Sequence, residues 1–167
     1  MSRSPVFAVC GIPGSGKTTL CNAIQRTTGL ALVSYDRYEN ITQTPPDELA
    51  AWLATGADFA DIQAPGLSEA IDAASQRGPV ILDSPLGRAL PACEPLITHQ
   101  IWLDCPSDLA LSRKLRQFLD ADRGEERFEW VSNYLLVYPT TVRPLFLLQQ
   151  RRVRKLSETA VNSSRSL

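Results

Sequence analysis

A chain of 167 residues, 44% apolar and 21% charged, can bury a core without disulfides or metal, and its composition excludes a disordered or collagenous protein. The formal net charge of −1 excludes a global field that would draw in nucleic acid or an anionic membrane. The four cysteines, Cys10, Cys21, Cys93 and Cys105, form no C-x-x-C pair and have no histidine at ligand spacing, so no zinc site can be assembled and reduced thiols in a cytoplasmic setting are expected. The opening Met1–Pro5 leads directly into a short apolar run, Val6–Cys10, too brief for a signal segment or a membrane span and suited to a buried parallel strand. A helix follows from Thr19 to Gln25, with Leu20 and Ile24 one turn apart. A second strand is expected over Ala31–Ser34. The next 40 or more residues hold two helices. Pro45-Pro46-Asp47-Glu48 opens one that runs through Trp52-Leu53 and stops near Gly56. Pro65-Gly66-Leu67-Ser68 opens the other, with Leu67, Ile71 and Ala74 on one face and Gly78-Pro79 ending it. Further strands are expected at Val80–Leu82 and Gln100–Leu103, the latter begun by His99, the one histidine, which reads as structural. Ser107 then caps a helix carrying Leu109, Leu111, Leu115 and Leu119, followed by a charged break at Asp120–Arg127. A last helical region starts near Phe128, is interrupted by Pro139 and Pro144, and gives way to a polar end, Ser157–Leu167. Trp52, Trp102 and Trp130 read as core residues. Strands alternating with helices predict an α/β three-layer sandwich around a parallel sheet of about four to five strands. No linker or internal repeat divides the chain, so residues 1–167 are expected to form one domain.

Between the first strand and the first helix stands Gly11-Ile12-Pro13-Gly14-Ser15-Gly16-Lys17-Thr18, which fits G-x-x-x-x-G-K-[ST] at every fixed position. Glycines let backbone N–H groups turn inward around a polyphosphate, and the helix dipole at Lys17-Thr18-Thr19 adds partial positive charge. Lys17 can reach β- and γ-phosphates, and the Thr18 hydroxyl can ligate Mg²⁺. The motif predicts a nucleoside triphosphate site, for ATP with GTP as the alternative.

Other residues must say what the triphosphate is for. The chain lacks the N-K-x-D motif by which a GTPase reads its base. Asp36 directly follows the second strand, where a carboxylate can take a proton from an acceptor hydroxyl; Asp as a turn or helix cap is the competing reading. Tyr35, Arg37 and Tyr38 surround it as candidate acceptor-pocket residues. Asp83 ends the third strand and is the candidate to hold Mg²⁺ through water or to orient the acceptor. Arg88 reads equally as an acceptor ligand or a surface arginine, and Asp104 as a turn residue. Arg113, Lys114, Arg116, Arg123 and Arg127 form a basic group able to close over a phosphoryl group as a lid, with Arg123 preferred and Arg113 or Arg116 next. Arg151, Arg152, Arg154 and Lys155 make a local basic cluster near the end of the sequence.

These features together resemble the small P-loop kinases that include nucleoside monophosphate kinases, uridine kinase and related small-molecule kinases. Tyr35-Asp36-Arg37-Tyr38 resembles their acceptor-site Asp segment. The stretch from Ile101 to Lys114 is similar to the uridine kinase segment leading into the lid, and Tyr138–Leu145 to a later one. The resemblance implies nucleotide binding at Gly11–Thr18, an acceptor base at Asp36, a helical acceptor region over about 37–78 and a lid over about 113–128. It implies an ATP- and Mg²⁺-dependent transfer to a hydroxyl of a small, nucleoside-like acceptor. Two alternatives stay open. One is a kinase acting on a polynucleotide hydroxyl (a modified base such as hydroxymethyluracil, or a strand end) held by the basic cluster. The other is a nucleotide-dependent binding module without transfer.

Overall fold

Alternation along the first strand decides the layering. In β1 (Val6–Cys10), Val6, Ala8 and Cys10 turn to one face and Val9 to the other, and all four are buried. The computed structural model describes residues 3–41 and 44–120, and beyond them residues 128, 131, 132, 134, 135, 143, 144, 147, 148 and 150–153. Among the described residues β1 lies inside a four-stranded parallel sheet in the order β2-β3-β1-β4, with β2 at Ala31–Ser34, β3 at Val80–Asp83 and β4 at His99–Trp102. Register sets the next level of organisation. Val9 of β1 and Ser34 of β2 both pair with Asp83 of β3. The three strands therefore finish level, and the segments that begin at Gly11, Tyr35 and Ser84 leave the sheet from one edge.

Helices cover both faces, as the strand–helix alternation predicts. On one side α3 (Leu67–Ser75) buries Leu67, Ile71 and Ala74 against Val6, Ala8, Val33, Val80 and Leu82. On the other, α1 (Lys17–Thr28) buries Cys21 against Val9 and Ile81. All four cysteines are free and buried. Burial pushes the Cys10 and Cys21 thiols up to about 12 and Cys93 to about 11, so they behave as small apolar residues. Among the described residues no helix is long and apolar enough to cross a membrane.

Several sequence expectations are corrected here. The fourth strand begins at His99 and ends one residue early, at Trp102; His99 pairs with Phe7 and stacks on its ring at 5.0 Å. In the first helix Cys21 is buried and Ile24 packs beside it, while Leu20, one turn before Ile24, is 36% exposed. The leucine stripe does not anchor α4 (Ser107–Asp120): Leu109 and Leu119 are each 41% exposed, and the fully buried residue is Ala110. Close approach is the reason. Ala110 and Cys105 pack on Ile12 of the glycine-rich loop, and a Cβ on Gly14 would run into the Ala110 carbonyl. Gly14 also has φ +86°, a conformation that penalises any side chain. Gly14→Ala is therefore expected to lower stability by about 1–3 kcal/mol through overpacking, read from the denaturant midpoint.

Between β2 and β3 lie α2 (Pro46–Ala54) and α3, joined through a short 3₁₀ turn at Phe59–Asp61. Trp52 stacks on Phe59 and donates its indole N–H to Asp61. A late part of the chain fastens this region. The Arg152 guanidinium donates to the Gly56 and Ala57 carbonyls, at 2.9 Å each, and lies 5.0 Å from the centre of the Phe59 ring. Ala57 has φ +51°, the left-handed region that a non-glycine residue enters at a cost. Neighbouring Val153 is fully buried in the main core, and its carbonyl accepts from Gln100 on β4.

Candidate active site

Beyond β1 the backbone turns at once, with Ser15 N–H donating to Ile12 O at 3.0 Å. Gly16, at φ +97°, caps α1. The first bond into the helix runs from Leu20 N–H to Gly16 O, so the amides of Lys17, Thr18 and Thr19 have no acceptor inside the helix. Lys17 is only 9% exposed, and its Nζ donates to Ile12 O at 3.2 Å. Burial holds this ammonium below its ordinary range, with Asp83 and then Asp36 opposing. The Ser15 hydroxyl is buried and finds no partner among the described residues. Free first-turn amides, a desolvated ammonium and an unpartnered hydroxyl around one loop fit a polyphosphate, whose oxygens satisfy all three.

The donor set for a hard cation stands beside it. Thr18 Oγ1 donates to Asp83 Oδ2 at 2.6 Å, and Asp83 is 5% exposed. Among the described residues no group of three or more His, Cys, Asp or Glu could hold a metal by itself. A hydroxyl and one carboxylate suit Mg²⁺, which takes few protein ligands and completes its shell with water and substrate phosphates. Asp83→Asn is expected to raise the Mg²⁺ concentration needed for half-maximal nucleotide binding about 10- to 100-fold. A Mg²⁺ titration of nucleotide binding checks this.

Asp36 sits in a 3₁₀ turn, Tyr35–Arg37, directly after β2. Asp36 is exposed as a residue, yet partial desolvation and then Asp83 push its carboxyl above the ordinary carboxylate range, with Lys17 opposing. Lys17, Asp36 and Asp83 thus converge from three level strand ends. This arrangement can bind a polyphosphate, hold its cation and accept a proton a short way off.

The remaining candidates divide. Tyr35 belongs to the core at 3% exposure, not to an acceptor pocket, because the strand's alternation turns it inward after Val33. Arg37 is exposed, and Tyr38 is half-buried against the core beside Gly66. Arg88 is structural. Its Nη2 donates to the Ile97 and Thr98 carbonyls at 2.9 Å, and its backbone N–H donates to Gln100 Oε1. Arg116 pairs with Asp120 at 3.3 Å on the solvent side of α4. Arg113 is exposed, with Nη1 at 3.9 Å from Cys105 Sγ. Arg123, Arg127 and Trp130 lie outside the described residues, as do Arg154 and Lys155. Arg152 is engaged by Gly56, Ala57 and Phe59, so it cannot serve a polynucleotide in this state. Lys114 is half-buried on α4, with Nζ donating to Gln117 Oε1 at 3.2 Å.

No family model and no curated protein matches the chain. Solved structures do. A protein of Chloroflexus aurantiacus j-10-fl assigned as a kinase is 22% identical, covering 78% of this chain and 76% of its own, with a TM-score of 0.50. A gluconokinase from Sinorhizobium meliloti 1021 is 14% identical, covering 95% of this chain and 99% of its own, with a TM-score of 0.46. With its glycine-rich loop, level strand ends and parallel β2-β3-β1-β4 sheet, the chain shares the α/β fold of that Chloroflexus aurantiacus kinase.

Proposed function

We propose that this protein is an ATP- and Mg²⁺-dependent kinase that transfers the γ-phosphoryl group to a hydroxyl of a small molecule. One observation carries the reading: Asp36 follows β2, whose last residue Ser34 pairs with Asp83, so a second carboxylate stands at the strand edge where Thr18 meets Asp83. A protein that only binds nucleotide has no need of a second, proton-accepting carboxylate at that edge; a hydrolase would use it on water, and label released as inorganic phosphate with every acceptor marks that outcome. Lys17 and the first-turn amides grip the phosphates. Bound Mg²⁺, held by Thr18 and Asp83, would neutralise charge on the phosphate oxygens. The Asp36 carboxylate takes the acceptor's hydroxyl proton as that oxygen bonds to the γ-phosphorus. The bond from phosphorus to the β,γ-bridging oxygen breaks, and ADP leaves.

The acceptor itself belongs to the same reading. On the face of the sheet that buries Tyr35, a cavity of about 220 Å³ is lined by Ala60, Ile62, Ala64, Leu90 and Cys93 among others. None of Lys17, Asp36 and Asp83 lines it, so the nucleoside-like acceptor of this reading rests on the resemblance of Tyr35–Tyr38 to the acceptor-site segment of the nucleoside kinases and not on this cavity. The test is a transfer screen with γ-labelled ATP against nucleosides, nucleotides, sugars, sugar acids and oligonucleotides. Label is expected on a small hydroxyl compound and not with Asp36→Asn. ATP bound by the protein but left intact across the whole panel would replace this reading with a non-catalytic binding module.

A further inference from the structure

We propose that Arg152 is a positioning residue for the acceptor side: its guanidinium holds the segment between Tyr38 and Gly66 closed beside Asp36 and touches neither acceptor nor nucleotide. The inference rests on the kinase reading and deepens it.

That segment starts and ends at one place. Tyr38, two residues after Asp36, stands at its beginning, and Gly66, the N-cap of α3, at its end. A Cβ on Gly66 would lie 3.7 Å from the Tyr38 ring. Tyr38 is tied back to the Asp36 turn, its N–H donating to Tyr35 O at 2.9 Å. The described part of the segment, residues 39–41 and 44–65, is thus hinged beside the carboxylate. Between these ends α2 is lightly held, since none of its residues from Asp47 to Ala54 is buried. Buried anchors come after the helix, at Ala57 and Phe59.

Arg152 acts on those anchors. α2 has no basic residue in its last turn, although the free carbonyls and the dipole of a helix C-terminus favour a cation there. Arg152 supplies one from 96 positions away, donating to Gly56 O and Ala57 O at 2.9 Å each. Its planar fork matches two successive carbonyls as a lysine ammonium does not. The guanidinium also lies over the Phe59 ring, which stacks on Trp52 of α2. Gly56 and Ala57 have φ +98° and +51°, so the chain reverses through two left-handed residues, the alanine at a cost. The post that carries the clasp is fixed, because Val153 is fully buried and its carbonyl accepts from Gln100 on β4. The clasp itself is releasable: Arg152 is exposed, and its two acceptors belong to one turn. Without the fork the far end of the segment swings about the Tyr38–Gly66 base, away from the strand edge that carries Asp36. Lys17, Thr18 and Asp83 belong to other elements and stay in place.

The experiment compares wild type, Arg152→Met and Arg152→Lys as full chains. Hydrogen exchange of the nucleotide-free protein is read first. Amides of residues 47–61 are expected to exchange roughly 10- to 100-fold faster in Arg152→Met, the range for lost hydrogen bonds to a charged group. Amides of β1 and β3 should stay within about twofold, which checks that the variant is folded. Transfer kinetics come second, with the compound that takes label in the transfer screen as the probe. Arg152→Met is expected to raise the KM for that compound about 10-fold, because the closed form becomes the minor one. The kcat, and the MgADP affinity by calorimetry, should stay within about twofold. Arg152→Lys keeps the charge and loses the fork, so it should show a smaller shift of the same kind in both readouts; it serves alone where the methionine variant does not fold. Wild-type exchange over 47–61 in folded Arg152→Met overturns the clasp. Faster exchange with an unchanged acceptor KM overturns the positioning role and leaves the kinase reading intact. A loss of MgADP affinity also overturns it, because the effect then reaches the nucleotide side. Absence of label on every compound removes the kinase reading, and this role for Arg152 with it.

Discussion

Lys17→Met is expected to lower phosphoryl transfer about 10²- to 10³-fold, the range for one preorganised charge-stabilising donor, and to make the nucleotide-free protein more resistant to heat. Both effects have one cause. The Lys17 ammonium is buried with the Ile12 carbonyl as its hydrogen-bond acceptor, and burial lowers its pKa from 10.5. Between the lowered folded value and 10.5 the unfolded chain binds more protons than the native one. Stability of the wild type must therefore rise as pH climbs through that window. Methionine keeps the apolar stem and removes the charge, so the variant loses that pH dependence and gains stability where wild-type Lys17 is protonated. Thermal melts across pH, with and without MgATP, measure both. Addition of MgATP should stabilise the wild type and leave the variant nearly unmoved. Wild-type nucleotide affinity in a folded Lys17→Met protein would remove the assignment of this loop as a phosphate site.

The second large effect concerns Asp36. Asp36→Asn is expected to retain ATP affinity and lose about 10²- to 10⁴-fold in transfer, as for a missing general base. The pH profile makes the test sharper. Burial and Asp83 raise the folded-state pKa of Asp36 above 3.8. Transfer by the wild type must fall on the acid side with a midpoint above that ordinary value, because the protonated carboxyl cannot accept the hydroxyl's proton. Stability runs the other way. The native state holds the extra proton between 3.8 and the folded value, so this group's contribution declines as pH rises through that window. Asparagine should abolish the acid limb along with the activity. Transfer at the wild-type rate would return Asp36 to the role of a turn residue.

Much of this site was legible in the residues alone, because it is local chemistry at strand ends. The glycine-rich loop, Asp36 after β2 and Asp83 at the end of β3 follow from short apolar runs that break into polar residues. The helix face of Leu67, Ile71 and Ala74 follows from spacing. What the sequence hid depends on contacts between distant segments. Nothing near Leu109 or Leu119 says that α4 will bury Ala110 instead, since that choice is made by the approach of Gly14 from nearly a hundred positions away. The same approach leaves Arg116 in solvent. Arg88 read equally as an acceptor ligand or a surface arginine because charge is visible in a sequence, whereas the Ile97 and Thr98 carbonyls that its guanidinium binds are not. Tyr35 was misread for a simpler reason. The strand's two-residue alternation carries one step past Val33, and an aromatic ring beside an acidic residue draws attention to the acid's side of the chain.

The clasp made by Arg152 has a bearing on how the protein is made. The carbonyls it binds, on Gly56 and Ala57, precede it by 96 and 95 positions. During synthesis, strands β1 to β3 and the whole phosphate loop leave the ribosome well before Arg152 is added. A nascent chain can thus assemble its nucleotide-gripping half while the α2 side still lacks the guanidinium that holds Ala57 in its left-handed conformation. The α2 side gains its last fastening only when residue 152 has been added, and Val153 completes the main core under β1 and β3 at the same step.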